Sequence, residues 1–379
     1  MPVARLLWLP ILSRRAGKSR IVCAARSPLA IAGTMAKSTK SKANPIGAKL
    51  RLYKSGKIEC LKCQDTAEIN DATPLDPMIC ESCGHENTVP LNLDEFWLFS
   101  LLGGGGMGRV YQAYREGSED RDFAVKIVPH SPEHREKMES ALRAEFEIMS
   151  ALGDHPCLAK ALDFGENNGQ IYLAMEYIEG ERLDQRIRRL GRISEAETLL
   201  ITLRLLAAET YIYRRGYVYR DLKPENVIVT SSGAVLYDYG ICMNREEALK
   251  DPGDLVEGSP LYMPPERLTG EGERACSEIY SLGMVLYHLL TGETLITGTV
   301  NENTAVKHVE DSRKTDILKK LPHLNPQWES LLDKMIARIP QKRYQSFVEL
   351  ERDMMTILTA NIKRTGYKKF AKTLVPADK

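Results

Sequence analysis

The chain has 379 residues, 43% hydrophobic and 27% charged, with 52 Lys and Arg against 51 Asp and Glu. That length suits one large domain or two to three ordinary ones, and the balance is that of a soluble globular protein. No stretch approaches the roughly 18 uninterrupted apolar residues of a membrane span, and a net charge of +1 points to no class of partner.

The distribution of charge says more. No Asp or Glu precedes Glu59, while Arg14, Arg15, Lys18, Arg20, Lys37, Lys40 and Lys42 do, so a basic N-terminal arm leads into a net acidic body. Residues 1–34 hold a short apolar run, Leu6 to Leu12, broken by Pro10 and followed by Arg14 and Arg15. A secretory signal has the reverse order. A transit peptide or a true start at Met35 both remain open. Residues 35–56, rich in Lys, Ser, Gly and Ala, have little to bury and are read as a flexible arm.

Eight cysteines occur, four of them in two Cys-x-x-Cys pairs and four scattered at Cys23, Cys157, Cys242 and Cys276. That is not a secreted disulfide framework, so a reducing, cytoplasmic setting is expected. Cys60-Leu-Lys-Cys63 and Cys80-Glu-Ser-Cys83 have the spacing of a four-thiolate zinc site. Each pair brings two thiolates to one side of an ion, and two pairs complete a tetrahedron. Gly84 supplies a turn position tolerant of positive φ. Residues 57–90 are too few for a core, so metal would supply their folding energy. Four thiolates leave no open position, which makes the ion structural, and His85 is read as a surface residue and not a ligand. The segment resembles a zinc ribbon. It has room for a protein partner. Nucleic acid is disfavoured, since residues 64–79 carry Asp65, Glu68, Asp71 and Asp76 and no base.

From Phe96 the pattern changes. Strands are expected at 96–103, 108–115 and 122–128, a helix at 132–152 and strands at 160–165 and 171–176. Helices follow at 194–215, 278–291, 326–337 and 346–359. A small sheet-rich lobe before a larger helical lobe is an α+β architecture. No internal repeat is evident.

Gly103, Gly105, Gly108 and Val110 form Gly-x-Gly-x-x-Gly-x-Val. Glycines there let backbone N–H groups approach phosphate oxygens. A Val-Tyr strand follows them instead of a helix, which favours a flap over a nucleotide. Lys126 then interrupts an apolar strand, where an ammonium needs an anion. The next helix, with Ser131 as cap and Pro132 in its first turn, offers one. Glu145 lies in its apolar stripe of Met138, Leu142, Met149 and Leu152, whereas Glu147 faces outward. Further on come Tyr219-Arg220-Asp221-Leu222-Lys223-Pro224-Glu225-Asn226 and Leu236-Tyr237-Asp238-Tyr239-Gly240.

These motifs, in this order, resemble the eukaryotic-type protein Ser/Thr kinases, in flavour the bacterial ones, over residues 96–360. The resemblance implies a bilobal fold preceded by the ribbon, with 361–379 a short basic tail. It implies ATP, Mg²⁺ and protein substrates bearing Ser or Thr. By it, Lys126 holds the α- and β-phosphates and is held by Glu145. Asp221 takes the substrate proton, Lys223 neutralises the γ-phosphate, and Asn226 and Asp238 bind Mg²⁺. Met175 is the gatekeeper, Glu176 to Ile178 the hinge, and Ala124, Val110 and Ile228 wall the adenine. Glu266 pairs with Arg343 in a structural bridge. The rival reading is a pseudokinase that binds nucleotide or a partner without transfer.

Three positions depart from the family pattern: Tyr219 for His, Tyr239 for Phe and Glu278 for Asp. Tyr219 and Glu278 are expected in one buried cluster, compensating for each other. Between Ile241 and Gly258 there is no Ser, Thr or Tyr, although Arg220 would receive a phosphate from that stretch. One of Glu246, Glu247, Asp251, Asp254 and Glu257 is expected to replace it, leaving only Ser259 or Tyr262 for control by phosphorylation.

Overall fold

The computed structural model describes residues 45–105, 108–128, 135–250, 258–296 and 315–365. The leader 1–34 and the Ser131–Pro132 cap lie outside them. The flexible-arm reading of 35–56 needs correction, because Pro45–Lys54 forms helix α1. Ile46, Leu50 and Tyr53 recur at helical spacing and pack on Ile58, Phe99 and Tyr114. A stripe of three apolar residues among lysines is too thin to stand out in sequence.

Two small hairpins follow: β1 (Lys57–Glu59) with β2 (Thr66–Glu68), and β3 (Pro77–Ile79) with β4 (Glu86–Thr88). They form an internal repeat with a period of twenty residues, which the sequence reading did not see. Lys57 pairs with Glu68 as Pro77 pairs with Thr88, and Glu59 with Thr66 as Ile79 with Glu86. The backbone bonds repeat too. Gln64 N–H donates to the Cys60 carbonyl and Gly84 N–H to that of Cys80; Cys60 N–H donates to Asp65 and Cys80 N–H to His85. Gln64 and Gly84 both have positive φ, 65° and 69°. One copy uses Gln where the other uses Gly, and that difference hides the repeat.

The first lobe is one antiparallel sheet. Its strands are β5 (Leu91–Leu93), β6 (Phe96–Gly105), β7 (Gly108–Arg115), β8 (Ser118–Ile127), β9 (Ala161–Asn167) and β10 (Gln170–Glu176), in spatial order β5-β6-β7-β8-β10-β9. Helix α2 (Arg135–Leu152) packs on β9 and β10 through Leu142, Met149 and Leu152. In β6 the register slips between Leu98 and Ser100, so Phe99 is the extra residue of a bulge. It turns to the outer face and stacks on Tyr114 at 4.2 Å between ring centroids. Tyr53 of α1 stacks on Tyr114 in turn. The apolar side of the two-hairpin module is thereby spent on the lobe.

The second lobe is mainly helical. It begins with β11 (Glu181–Arg182), α3 (Leu183–Leu190) and α4 (Glu195–Arg214), the last capped by Ser194, whose hydroxyl accepts from Glu197 N–H. Short strands β12 (Tyr217–Val218), β13 (Val227–Thr230), β14 (Gly233–Leu236) and β15 (Met243–Asn244) carry the loops between the lobes. Then come α5 (Arg245–Ala248), α6 (Pro265–Leu268), α7 (Ala275–Thr291), and helices Ile317–Lys320, Gln327–Met335 and Phe347–Thr365. Helix α7 is buried along nearly its whole length and packs on α4. Glu266 and Arg343 make the expected bidentate pair, at 2.7 and 2.8 Å, both side chains buried.

Candidate active site

Strand alternation gathers one wall of the cleft. Val110 lies opposite Lys126 and Met175 opposite Ala124, and Ala124 and Lys126 are two apart, so all four share one face of the sheet. The β6–β7 hairpin sets Gly103 opposite Val110 and Gly105 opposite Gly108, while residues 106 and 107 of the loop lie outside the described residues. Gly108 has φ 134°, and a Cβ there would meet the Ile127 carbonyl oxygen at 2.7 Å, so only glycine fits. Glu176 ends β10 and leads through Ile178 to the second lobe, where Ile228 on β13 pairs with Arg182.

The Lys126 ammonium is 2.7 Å from Glu145 Oε2 and 3.2 Å from Asp238 Oδ1. Burial lowers its pKa, but the Glu145 and Asp238 carboxylates outweigh burial and raise it, keeping the charge. Burial likewise raises the Asp238 carboxyl, and Lys126 overrides that to bring it below the usual value. Glu145 Oε1 also accepts from Tyr239 N–H at 3.1 Å. One carboxylate therefore ties α2 to both the lysine and the loop bearing Asp238. Glu147 is exposed.

Asp221 sits across the cleft floor. Lys223 Nζ is 2.7 Å from its Oδ2, and Asn226 Nδ2 donates to that oxygen at 2.9 Å and to the Asp221 carbonyl at 3.0 Å. Ser259 donates to Oδ1 at 3.3 Å. The sequence offered Ser259 only as a phosphorylation candidate; its hydroxyl in fact faces Asp221. Arg220 and Asp238 adopt left-handed backbone, φ 74° and 64°, uncommon for residues with a Cβ.

That strain is held from below. Arg220 N–H donates to Glu278 Oε2 at 3.1 Å, and the Arg220 carbonyl accepts from Arg267 Nη1 at 2.6 Å. Tyr219 donates its hydroxyl to the Tyr237 carbonyl at 2.6 Å, and its ring meets Tyr239 edge-on. Tyr219 and Glu278 thus grip neighbouring stretches of backbone. Among the described residues, a carboxylate from elsewhere in the chain meets Arg220. Arg220 Nε pairs at 2.8 Å with Glu273, which lies before α7 and not in 241–258. Glu246 and Glu247 are exposed on α5, and Asp251, Asp254 and Glu257 lie outside the described residues. A partner 53 positions away gives no local signal.

The four sulfur atoms of Cys60, Cys63, Cys80 and Cys83 lie within 4.8 Å of one another. Cys60 Sγ is 3.7 Å from Cys83 Sγ, and Cys63 Sγ 3.6 Å from Cys80 Sγ. The edge of a tetrahedron with Zn–S about 2.3 Å is about 3.8 Å, so the set fits such an ion. Asn87, buried, aims its amide at Cys60 Sγ from 3.6 Å and accepts from Leu61 N–H. Such outer contacts orient thiolate ligands. The equivalent position in the other repeat is Ala67, and the sequence did not mark Asn87.

Comparison with known proteins agrees with this geometry. The family model for the protein kinase domain matches residues 96–354. The chain is 30% identical over 277 residues to the serine/threonine-protein kinase PrkC of Bacillus subtilis, covering 73% of this chain and 42% of that protein. It is 30% identical over 284 residues to the serine/threonine-protein kinase PknB of Mycobacterium tuberculosis, covering 71% and 44%. A probable PknB of Lactococcus lactis matches at 30% over 281 residues, 73% and 44%. The chain thus spans less than half the length of these relatives. It belongs to the protein kinase family.

Proposed function

For this member of the protein kinase family, we propose transfer of the ATP γ-phosphate to Ser and Thr hydroxyls of protein substrates. The observation that carries the reading is the assembled ion-pair set: Lys126 touches both Glu145 and Asp238 while Asp221 is bonded to Lys223 and Asn226. Lys126 would hold the α- and β-phosphates. Gly103, Gly105 and Gly108 would cover them, and Val110, Ala124, Met175 and Ile228 would flank the adenine, with Glu176 and Ile178 offering hinge backbone. Asn226 and Asp238 are the oxygen donors suited to Mg²⁺, which neutralises phosphate charge when bound. The acceptor hydroxyl oxygen bonds to the γ-phosphorus as the bond to the β–γ bridging oxygen breaks. Its proton passes to Asp221, ADP leaves, and Lys223 balances charge on the moving phosphoryl group.

The four thiolates would take a closed structural Zn²⁺ as a zinc ribbon, in keeping with a reducing, cytoplasmic setting. A protein partner of the module would have the exposed tips Leu61 and Ile79 to meet, because its other side packs on the lobe.

The pseudokinase alternative predicts nucleotide binding without turnover. Labelled-phosphate transfer from ATP to a mixed protein acceptor decides between them. Asp221→Asn should lower the rate about 10²- to 10⁴-fold with ATP affinity retained. Transfer that survives this substitution would refute the assignment.

A further inference from the structure

Arg220, next to the proposed base, is buried, and a buried guanidinium must meet an anion. In kinases that anion is often a phosphate added to the activation segment. Here residues between Ile241 and Gly258 contain no hydroxyl side chain to carry one. Among the described residues, Arg220 meets the carboxylate of Glu273, itself 2% exposed.

The surrounding bonds make Glu273 a hub. Its Oε1 takes Arg220 Nε at 2.8 Å and its Oε2 takes Arg267 Nη2. The same Arg267 donates to the Arg220 carbonyl, and Glu278 accepts the Arg220 N–H. Side chain, carbonyl and amide of Arg220 are thus all fixed by residues of 267–278. Glu273 N–H donates to the Ala248 carbonyl at 2.9 Å, which ties the hub to α5 of the activation segment. Gly272 lets the two approach: a Cβ there would lie 2.1 Å from the Leu249 carbonyl oxygen.

We propose that Glu273 is a positioning residue, a built-in counter-ion that holds Arg220, and through it Asp221, without any phosphate on the activation segment. This rests on the phosphotransfer reading above. Phosphate would normally order such a loop by pairing with arginine; a buried carboxylate bridging two guanidinium groups does the same permanently.

The test has two arms. In the first, full-length protein is treated with phosphatase, shown by mass to be unphosphorylated, and assayed for labelled-phosphate transfer. Full initial rate without a lag is expected. Loss of transfer on dephosphorylation would overturn the proposal. In the second, Glu273→Gln keeps the side-chain volume and removes the charge. Its kcat should fall about tenfold or more, with KM for ATP and calorimetric ADP affinity within about twofold. An unchanged kcat would overturn the proposal. If Glu273→Gln fails to bind ADP, the double variant Arg267→Met, Glu273→Gln, which removes one charge of each sign, is read the same way. A wild type inactive before any treatment would instead defeat the phosphotransfer reading itself.

Discussion

Glu278→Gln should flatten the pH dependence of stability. The Glu278 carboxyl is fully enclosed, and its pKa is pushed up to about 7 from 4.5. Burial is the main cause and the Glu273 carboxylate adds to it, against the pull of Arg267, the Arg220 N–H and the Arg220 charge. Glu209 on α4 also faces it; burial raises its carboxyl above the usual value, and neither of its oxygens is hydrogen-bonded among the described residues. The folded-state pKa is above the unfolded one. The folded state therefore holds the proton more tightly, and its stabilising effect is complete below pH 4.5 and lost as pH rises through 7. A shift of this size is worth about 3 kcal/mol. Over a domain matched at residues 96–354, unfolding entropy of about 0.5 kcal/mol/K turns that into a Tm change of about 6 °C. The assay is thermal unfolding of wild type and Glu278→Gln from pH 5 to 8.5. Gln keeps an acceptor for the Arg220 N–H and cannot ionise. Between pH 5 and 8.5 about 2.5 kcal/mol of this is lost, so the Tm difference between the two proteins should move by about 5 °C in favour of the variant as pH rises. His155 and His288, both lowered by burial, shift both proteins alike and cancel. A difference independent of pH would refute the reasoning.

Other outcomes follow from the same geometry. Glu266→Gln strands the Arg343 guanidinium and should cost about 3–5 kcal/mol, seen as a Tm lower by about 6–10 °C; a loss confined to kcat would contradict its structural role. Stripping metal from the four thiolates with a strong chelator should unfold the hairpins, release α1 and shift the emission of Trp97, which packs beside Tyr53. ADP affinity should weaken with it, since the Phe99 bulge supported by that module lies on the strand of the phosphate loop; unaltered Trp97 emission would count against the coupling. Tyr219→His and Glu278→Asp should be non-additive in kcat, because Tyr219 ties the catalytic loop to the Tyr237 carbonyl while Glu278 holds the N–H of the next residue, Arg220; a double-mutant cycle that closes to zero would disprove this.

Which features the sequence disclosed follows from how far each interaction reaches. Lys126, Glu145, Asp221, Asn226 and Asp238 announce themselves by local contradiction, a charge within an apolar strand or helix face, or a polar loop between apolar runs. Strand alternation and the stripe Leu142, Met149, Leu152 then place the elements that carry them. Glu273 contradicts nothing locally: it sits in a polar stretch, Gly270-Glu271-Gly272-Glu273-Arg274, that reads as a solvated turn. Only its closure with Arg220 and Arg267 buries it, and the closure depends on Gly272 passing within contact of Leu249. Asn87 is similar, polar in a short strand and given meaning by Cys60 in the other repeat. Helix α1 was missed for another reason. Its stripe is short, and its partners Phe99 and Tyr114 face it only because a bulge turns Phe99 outward, against simple alternation. Positions that carry charge against their surroundings are visible in one dimension. Positions whose surroundings are made by distant chain become visible only once the fold has closed, and in this protein those include the residues that brace Arg220 beneath the proposed base.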